Sequence, residues 1–301
     1  MGSVRILVTG TNGFLGQNLV SSLLNNSFEV IGTGKGDSRL SIGPQFPFRY
    51  SSLDLLDDIG YEKLFSETRP NVVVHAGAMT QVDECELNRE DCYQVNVMAT
   101  KKIIQLSKDH GAFFIFISTD FVFDGEKGNY KEDDPLAPVN WYGKTKMEAE
   151  IMVRRLEIPW AIVRTCLVYG NSTPGSRQNI ITWVRSQLKK EERIKVVDDQ
   201  FRTPTFVEDL ADGIASIITK ESEGVFHVSG DETLTPYQMA VKTAQYCGLD
   251  AGLIEKVNAQ SFTQPARRPA RTGFRIDKAR SFLGFFPTSF DAAIDRVFRK
   301  Q

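Results

Sequence analysis

The chain has 301 residues, of which 41% are hydrophobic and 25% are charged, and its formal net charge is −2. These are the values of a globular protein whose core is large enough to need no disulfide or metal staple. A net charge this close to zero provides no overall basic field, which argues against a nucleic-acid partner. No apolar run is long enough to span a bilayer and no secretion signal is evident, so we expect a soluble, cytoplasmic protein without a membrane partner.

Short apolar runs alternate with segments of helical period along the first half of the chain. In chain order the runs are VRILVTG, FEVIGTG, NVVVHAG, FFIFIST and WAIVRT. Such nearly continuous apolar runs are typical of parallel strands buried between two layers of helices. The sequence therefore predicts an α/β fold, a doubly wound parallel Rossmann sheet.

Two of the intervening helices carry end signals. In DDIGYEKLFSETRP we predict one apolar stripe that contains Ile59, Leu64 and Phe65, and a stop at Pro70. The helix that begins at NREDCY is predicted to continue until Gly111, a suitable carboxyl-terminal stop.

Beyond residue 170 the regular alternation fades, and short helices are predicted in TPYQMAVKTAQYCG and PTSFDAAIDRVFRK. No low-complexity linker separates the two parts. We therefore predict a Rossmann domain over residues 1–170 with returning segments near 179–220, and a smaller C-terminal substrate-binding lobe from 171–178 and 221–301.

The cysteines and histidines indicate neither a metal site nor a redox dithiol. The three histidines are scattered, and the cysteines show no CxxC spacing. We predict no bound metal, and four reduced cysteines in or near the core: Cys85, Cys92, Cys166 and Cys247.

A glycine-rich turn follows the first strand, with the spacing GxxGxxG in GTNGFLG. Glycine permits positive φ and lets main-chain N–H groups approach a pyrophosphate at the positive end of the next helix. A strand before the turn and an amphipathic helix after it are the context of a dinucleotide fingerprint. The predicted cofactor contacts here are Gly10, Thr11, Asn12, Gly13, Phe14, Leu15 and Gly16.

The end of the second strand bears on the choice of cofactor. A carboxylate at this position would favour the ribose of NAD, whereas the sequence places Lys35 and Arg39 there. Cationic side chains suit the additional 2′-phosphate of NADP(H), which we favour. Asp37 keeps NAD(H) open as the alternative.

A candidate catalytic group lies in ISTDFVFDG and VNWYGKTKMEAE. Ser118, Thr119 and Asp120 end a predicted parallel strand, where ligands bind in open α/β sheets. Tyr142 and Lys146, four residues apart, share one face of the next helix. Ketone reduction needs a hydride and a proton, and a nearby ammonium together with a positive nicotinamide would lower the Tyr142 pKa enough for proton transfer. The alternative is a lysine that snorkels beside a half-buried tyrosine.

With these motifs the chain resembles the extended short-chain dehydrogenase/reductase family over essentially its whole length, and within it the dTDP-4-dehydrorhamnose reductases. The resemblance rests on ILVTGTNGFLGQNL, VVVHAGAMTQVDECE, VNVMAT, ISTDFVFDG, VNWYGKTKMEAE, RTCLVYG, VVDDQFRTPTFVEDLA and RRPARTGF. It implies that Thr119 and Tyr142 hold a sugar C4 carbonyl and that Lys146 also binds the nicotinamide ribose.

The resemblance implies further contacts. Asn96 is expected to support proton relay, and Asp83, Asp120 and Arg202 are expected at the substrate. The implied cofactor contacts, besides Ser118 at the strand end, are Asp54, Leu55, Ala76, Gly77 and Ala78.

Several positions depart from the family pattern or separate its branches. Dehydratases on this scaffold carry Glu directly after the Thr-Asp pair, whereas this chain has Phe121, which favours simple carbonyl reduction. Leu167 stands where the reductases usually have Trp, Arg202 where a small residue is familiar, and Thr272 where Ser is customary.

Three more residues have two readings each. Arg268, in an Arg- and Pro-rich stretch, is either a diphosphate ligand or a solvated cation. His75 ends an apolar strand and is either a neutral core histidine, which we expect, or an acid or base. Trp141 either stacks on a sugar or nucleobase or packs in the interface between the two lobes.

The expected function is NADPH-dependent reduction of a nucleotide-linked 4-keto-6-deoxysugar. The alternatives are reduction of another nucleotide-linked or free keto-sugar, and a non-catalytic NADP-binding subunit like the regulatory subunit of methionine adenosyltransferase, which shares the scaffold. The sequence leaves the oligomeric state undecided, and a homodimer stays open.

Overall fold

The computed structural model of the protein describes residues 4–299. Its strands are β1 (Arg5–Thr9), β2 (Glu29–Gly34), β3 (Phe48–Ser52), β4 (Val72–His75), β5 (Phe113–Thr119), β6 (Trp160–Thr165), β7 (Val168–Tyr169), β8 (Ile194–Val197), β9 (Thr205–Phe206), β10 (Gly224–His227) and β11 (Ile254–Val257). Its α-helices are α1 (Phe14–Asn25), α2 (Asp58–Thr68), α3 (Val82–Leu87), α4 (Arg89–Tyr93), α5 (Ala99–Asp109), α6 (Trp141–Val153), α7 (Ile180–Leu188), α8 (Val207–Thr219), α9 (Pro236–Tyr246) and α10 (Phe290–Arg299).

Seven of these strands form one parallel sheet in the order β10-β6-β5-β4-β1-β2-β3. In the middle of the sheet Ile6 pairs with Val30 on one side and with Val72 on the other. The predicted doubly wound Rossmann sheet is confirmed, and all five predicted strands belong to it. The two strands that the sequence did not indicate, β3 and β10, form its edges.

The two faces of the sheet have separate cores, because successive residues of a strand point to opposite sides. Ile6 and Val8 face α1 and α8, which contribute residues such as Leu19 and Ile214. Leu7 faces α2, α5 and α6 on the opposite side. These helix layers leave the carboxyl ends of the strands as the open edge of the sheet.

The expected stripe of α2 is corrected at one position. Ile59 is 79% exposed, while Leu64 and Phe65 are buried. The buried stripe instead begins at Tyr61 and continues to Thr68, which is the i, i+3, i+4, i+7 spacing of a single helix face. Ile59 lies outside that spacing.

The helix that follows α3 has an internal change of geometry. It begins as α4, continues as a π-helical turn at Gln94–Met98 and ends as α5. Gly111, with φ of +64°, follows its end as predicted. π-Helical turns frequently mark functional positions.

The smaller lobe is built from α7, α9, α10 and the paired strands β8 and β11, with cores around Val184 and Phe290. Its observed composition differs from the predicted boundaries. Segment 224–227 was expected in the lobe but is a strand of the main sheet. Segment 179–220 was expected to return to the Rossmann domain, but α7 and β8 within it belong to the lobe. The run GVFH contains only two apolar residues, Val225 and Phe226, and so does not signal a buried strand in the sequence.

Cys85, Cys92 and Cys166 are buried free thiols and Cys247 is a partly buried one, as predicted. Within residues 4–299, no helix is long and apolar enough to cross a bilayer. The same described part of the chain contains no group of His, Cys, Asp and Glu side chains arranged to hold a metal.

Candidate active site

A cleft of about 930 Å³ opens along the carboxyl edge of the main sheet. Most of the predicted site residues line it: Gly10, Gly13, Phe14, Leu15, Gly16, Lys35, Asp54, Leu55, Ala76, Gly77, Ala78, Ser118, Thr119, Asp120, Tyr142, Lys146, Arg202 and Arg268. The remaining predicted residues lie behind or beside its wall: Thr11, Asn12, Arg39, Asp83 and Asn96.

The glycine turn between β1 and α1 has the backbone that a phosphate cradle requires. Gly10 has φ of +74°, and a Cβ at Gly16 would lie 2.2 Å from the Gly10 carbonyl oxygen. α1 begins after Gly13 with no side-chain cap and no acidic residue in its first turn. The N–H groups at its positive end therefore stay available to an anion, and the turn fits a dinucleotide phosphate.

Thr11 and Asn12 support this turn from behind instead of facing the cleft. The Thr11 hydroxyl donates to the Thr33 carbonyl oxygen, 3.1 Å away. The Asn12 amide donates to the Lys35 carbonyl oxygen at 3.1 Å and to the Tyr50 hydroxyl at 2.9 Å. Both side chains are thus bound to β2, to β3 and to the loop that follows β2, and the cofactor contact of Thr11 and Asn12 stays a prediction.

The two cations after β2 have different positions. The Lys35 side chain is 86% exposed at the cleft, with Nζ 3.1 Å from Asp54 Oδ2. The Arg39 guanidinium instead donates to the carbonyl oxygens of Asn12 and Gly175, at 3.3 and 2.9 Å. Arg39 therefore anchors a loop of the smaller lobe beside the glycine turn, and Lys35 is the cation that faces the cleft here.

The end of β4 forms the next part of the wall. The Gly77 N–H donates to the Thr9 hydroxyl at 3.1 Å, and a Cβ at Gly77 would lie 2.9 Å from Leu55. Behind it, the His75 ring lies between the hydroxyls of Thr9 and Thr100, at 2.9 and 3.0 Å. Burial lowers the pKa of His75 to about 3, so it is the neutral core histidine that the sequence predicts.

The structure brings Thr119, Tyr142 and Lys146 together at the centre of the cleft. Thr119 ends β5, and the other two lie on the first turns of α6. The approach of α6 depends on Gly143, where a Cβ would lie 2.1 Å from the Phe121 carbonyl oxygen. The Thr119 hydroxyl lies close enough to the Tyr142 phenol to lower its pKa.

Burial controls the ionisation of the Tyr142 and Lys146 pair. It raises the pKa of Tyr142 above its ordinary value and lowers that of Lys146 to about 7. The lowering expected for Tyr142 is therefore absent from the protein alone, because burial raises the pKa, the charges of Asp120, Cys85 and Cys92 add to the rise, and only the Thr119 hydroxyl opposes it. At neutral pH the phenol is protonated, which is the state that a proton donor needs.

A buried ion pair beneath the cleft was not predicted from the sequence. Glu150 accepts hydrogen bonds from Arg164 Nε at 2.9 Å and from Arg164 Nη2 at 2.7 Å, and both side chains are fully buried. Glu150 also accepts from the Ser118 hydroxyl at 2.6 Å. Its position four residues after Lys146, on the same face of α6, is the signal that was available.

Asn96 lies in the π-helical turn and holds the backbone of the cleft wall. Its amide oxygen accepts from the Met79 N–H at 2.8 Å, and its amide nitrogen donates to the Met79 carbonyl oxygen at 3.0 Å. The same nitrogen donates to the Thr145 hydroxyl at 3.2 Å. These contacts place Asn96 behind the reacting groups, and its part in proton relay stays a prediction.

Asp120 and Arg202 form the floor at the substrate end. Asp120 is buried and accepts hydrogen bonds from the hydroxyls of Thr119, at 3.1 Å, and Thr272. Burial raises the pKa of Asp120, and the Arg202 guanidinium opposes this rise with Nε 3.8 Å from the carboxylate. Thr272, noted in the sequence only as a departure, is thus a direct partner of Asp120.

Asp83 and Arg268, both expected at the substrate, contact each other. The two side chains form a bidentate ion pair in which Arg268 Nη2 lies 2.6 Å from Asp83 Oδ2. The pair joins α3 to the Arg- and Pro-rich loop at the mouth of the cleft, and it lowers the pKa of Asp83. Arg268 lines the cleft and is not simply a solvated cation.

Trp141 faces away from this cleft. Its indole N–H donates to the Arg89 carbonyl oxygen at 3.0 Å, and the Arg89 guanidinium lies 5.3 Å from the ring centroid. The ring lines a separate groove of about 490 Å³ on the outer side of α6. Trp141 therefore packs against α4, which differs both from stacking in this cleft and from the expected place in the interface between the lobes.

The protein has a parallel Rossmann sheet, a glycine turn after β1, and a Thr-Tyr-Lys group at the end of β5 and the start of α6. These features define an extended short-chain dehydrogenase/reductase. The comparisons refine this class. The chain belongs to the RmlD substrate binding domain family, whose model matches residues 4–301.

Individual relatives include enzymes and a subunit. The probable low-salt glycan biosynthesis reductase of Haloferax volcanii is 31% identical over 97% of this chain and 97% of its own. The methionine adenosyltransferase 2 subunit beta of Xenopus tropicalis is 30% identical over 84% of this chain and 75% of its own. The crystal structure of Bacillus anthracis dTDP-4-dehydrorhamnose reductase in complex with NADP superposes with a TM-score of 0.87 at 27% identity, covering 100% of both chains.

Proposed function

We propose that this protein is an NADPH-dependent reductase that converts the C4 carbonyl of a nucleotide-linked 4-keto-6-deoxysugar to an alcohol. The observation that carries the proposal is the meeting of Thr119, Tyr142 and Lys146 in the cleft that begins at the glycine turn. Membership of a family that contains dTDP-4-dehydrorhamnose reductases supports the substrate class.

The wall residues fit a dinucleotide cofactor. The tight glycine turn requires the absence of a Cβ at Gly16, and the uncapped N–H groups at the start of α1 suit phosphate oxygens. Lys35 lies at the adenosine end, where a cation suits a 2′-phosphate, and the Bacillus anthracis relative has NADP bound. When bound, NADPH supplies the hydride that the carbonyl carbon receives.

Side chains of the protein carry out the proton transfer to the carbonyl oxygen. The neutral Tyr142 phenol donates its proton to the carbonyl oxygen, while the Thr119 hydroxyl holds the same oxygen in place. The Lys146 ammonium stabilises the phenolate that forms. Phe121 packs edge-on against Tyr142, with ring centroids 6.2 Å apart, at the position where a dehydratase would need a carboxylate base.

The decisive variant is Tyr142→Phe. We expect NADPH oxidation with a dTDP-4-keto-6-deoxysugar to fall by about a hundredfold or more, since the proton donor is removed. NADPH affinity is expected to stay within a few-fold, and loss of NADPH absorbance together with a fluorescence titration measures both. Near-native turnover in the variant would refute the acid role of Tyr142.

The substrate is tested separately from the chemistry. A panel of nucleotide-linked and free keto-sugars, assayed at fixed NADPH, is expected to show the highest kcat/KM for a dTDP-linked 4-keto-6-deoxysugar. Turnover with only another keto-sugar would keep the reductase and replace the substrate.

A non-catalytic role is the second candidate, favoured by the similarity to methionine adenosyltransferase 2 subunit beta. Such a subunit would bind NADPH tightly, oxidise it with no member of the panel, and co-purify with a partner enzyme. The complete Thr119, Tyr142 and Lys146 group favours catalysis.

A further inference from the structure

Two guanidinium groups line the substrate end of the cleft, and their hydrogen-bonding states differ. Arg202 Nη1 donates to the carbonyl oxygens of Phe201 and Ala270, at 2.9 and 3.1 Å. Arg202 Nη2 donates to the Pro269 carbonyl oxygen at 2.7 Å and to Gln200 Oε1 at 3.4 Å. Both terminal nitrogens are therefore committed to protein oxygens.

Arg268 is hydrogen-bonded to the protein through Nη1 and Nη2, which form the end edge of its guanidinium. Its Nη1 and Nη2 atoms form the bidentate pair with Asp83, and Nη1 also donates to the Ala266 carbonyl oxygen at 2.8 Å. A guanidinium carries five N–H donors. Against the described residues 4–299, these contacts leave the Nε donor and one Nη2 donor of Arg268 unused, and those two form the side edge of the fork.

The backbone around Arg268 is held at several points. We name residues 266–270 the strap. The Ala266 N–H donates to Asp83 at 3.1 Å, and the Asn140 amide donates to the Arg267 carbonyl oxygen at 2.8 Å. The Phe201 N–H donates to the Ala270 carbonyl oxygen at 2.7 Å.

These contacts fix the strap to α3, to the start of α6 and to segment 200–202. Arg202 therefore acts on the strap backbone, at Pro269 and Ala270, and its terminal nitrogens are not offered to a ligand. Arg268 lies between these contacts, so its backbone is held in place while the side edge of its guanidinium stays free to bind a ligand.

We propose that Asp83 is a positioning residue that holds Arg268 by its end edge, so that the side edge binds the diphosphate of the nucleotide-linked substrate. This inference rests on the proposed function. It adds the residue that positions Arg268, which the sequence already indicates as a candidate diphosphate ligand. Guanidinium forks bind phosphate oxygens in pairs, and such charge-assisted pairs are strong when the fork is preorganised.

The opposite role for Asp83 is a carboxylate that repels the incoming anion. The geometry favours positioning, because Asp83 occupies the end of the fork, whereas a ligand would approach the adjacent side. The carboxylate also binds the Ala266 N–H, so its removal frees both the side chain and the strap backbone.

The test measures binding of dTDP by calorimetry, with NADPH present and without turnover. We expect Asp83→Asn to raise the dTDP Kd about tenfold, and Arg268→Ala to raise it at least as much. In steady-state assays the loss is expected mainly in KM and not in kcat. In the Arg268→Ala background, Asp83→Asn is expected to have no further effect, because the carboxylate acts through Arg268.

The chain offers matched controls. Glu84→Gln removes the neighbouring carboxylate of α3, and Arg267→Ala removes the exposed neighbouring guanidinium of the strap. Both are expected to leave the dTDP Kd within about twofold. Arg268→Lys keeps the charge but loses the fork and is expected to weaken binding. NADPH affinity, measured on every variant, shows whether the Rossmann domain is intact.

Each outcome decides one proposal. Tighter or unchanged dTDP binding in Asp83→Asn overturns the positioning role, even if the wild-type protein reduces the sugar. Additive losses in the double variant also overturn it. A wild-type protein that binds NADPH but neither binds dTDP nor reduces any nucleotide-linked sugar overturns the proposed substrate class, and the role of Asp83 with it.

Discussion

At Lys146 folding and chemistry favour different protonation states: burial favours the neutral amine, whereas the proposed chemistry needs the ammonium. The side chain is only 3% exposed, and its ammonium lies 4.0 Å from the centroid of the Phe116 ring. Burial brings its pKa to about 7, although the nearby Glu150 carboxylate favours the charged form. Tyr142, whose pKa is raised, stays protonated across the neutral range. A change of activity near neutral pH should therefore reflect the loss of the proton from Lys146.

We predict that kcat for reduction falls as the pH rises through about 7, because the ammonium that stabilises the developing phenolate is lost. Lys146→Met is expected to lower kcat about a hundredfold and to remove this dependence. A pH profile of NADPH oxidation at saturating substrate measures both. A wild-type profile that stays flat between about pH 6 and 9 would assign the proton chemistry elsewhere.

The same residue makes a prediction about stability that needs no substrate. The pKa of Lys146 is about 7 in the folded protein and about 10.4 in the unfolded chain, so the unfolded chain binds more protons between these values. The free energy of unfolding should therefore rise with pH there, by about 2 kcal/mol between about pH 7 and 9 relative to Lys146→Met. Urea titrations of the two proteins without cofactor provide the comparison, and parallel pH curves would contradict it.

At the scale of elements, the site depends on how closely α6 approaches the turn that follows β5. Asn140 caps the helix by accepting from the Gly143 N–H at 2.8 Å, which fixes where its first turn begins. Gly143 then packs against the Phe121 carbonyl oxygen. The glycine inside the Tyr-x-x-x-Lys motif thus sets the distance between Thr119 and Tyr142, although it contributes no reacting atom.

Gly143→Ala should therefore damage the chemistry through the backbone. The new Cβ would lie 2.1 Å from the Phe121 carbonyl oxygen and 2.9 Å from Pro138, so α6 must shift. We expect kcat to fall about a hundredfold, with a loss of stability of roughly 1–3 kcal/mol. The control is Lys144→Ala, an exposed position one residue later on the same turn. Equal activities of the two variants would show that the close approach is not required.

The Glu150 and Arg164 pair joins α6 to β6 under the active site. Glu150→Gln leaves a fully buried guanidinium without its counter-charge, which typically lowers the free energy of unfolding by about 3–5 kcal/mol. The double variant Glu150→Met, Arg164→Met should recover most of that loss. Urea unfolding measures both, with the exposed Glu148→Gln as control, expected to change stability by no more than about 0.5 kcal/mol. A Glu150→Gln protein as stable as this control would contradict the role of the pair.

At the scale of the whole molecule, the sequence predicted the centre of the fold better than its edges. The five central strands have continuous apolar runs because both of their faces are covered. β3 is half-exposed along its length, and only two of the four β10 residues, Val225 and Phe226, are apolar, so neither strand shows the pattern that a buried strand produces. For the same reason β10 was assigned to the smaller lobe, although it pairs with β6 in the main sheet.

The candidate site shows a similar limit. Motifs identified most residues that line the cleft, since each motif lies at the end of one strand or the start of one helix. They did not identify partners, because Asp83 and Arg268 are 185 residues apart and meet only in the folded chain. Backbone carbonyl oxygens engage the guanidinium groups of Arg39 and Arg202, and such partners have no sequence signal.

Because the described parts of the two lobes meet beside the glycine turn, cofactor binding should stabilise the molecule as a whole. A ligand at about a hundredfold its Kd adds about 2.7 kcal/mol to the free energy of unfolding, or roughly 5–8 °C in Tm. At equal concentrations we expect a larger shift with NADPH than with NADH, since Lys35 faces the cleft where a 2′-phosphate would lie. Lys35→Glu should remove most of the difference, whereas Lys101→Glu, an exposed charge reversal on α5, should preserve it. Equal shifts with both cofactors in the wild-type protein would reject the preference for NADPH.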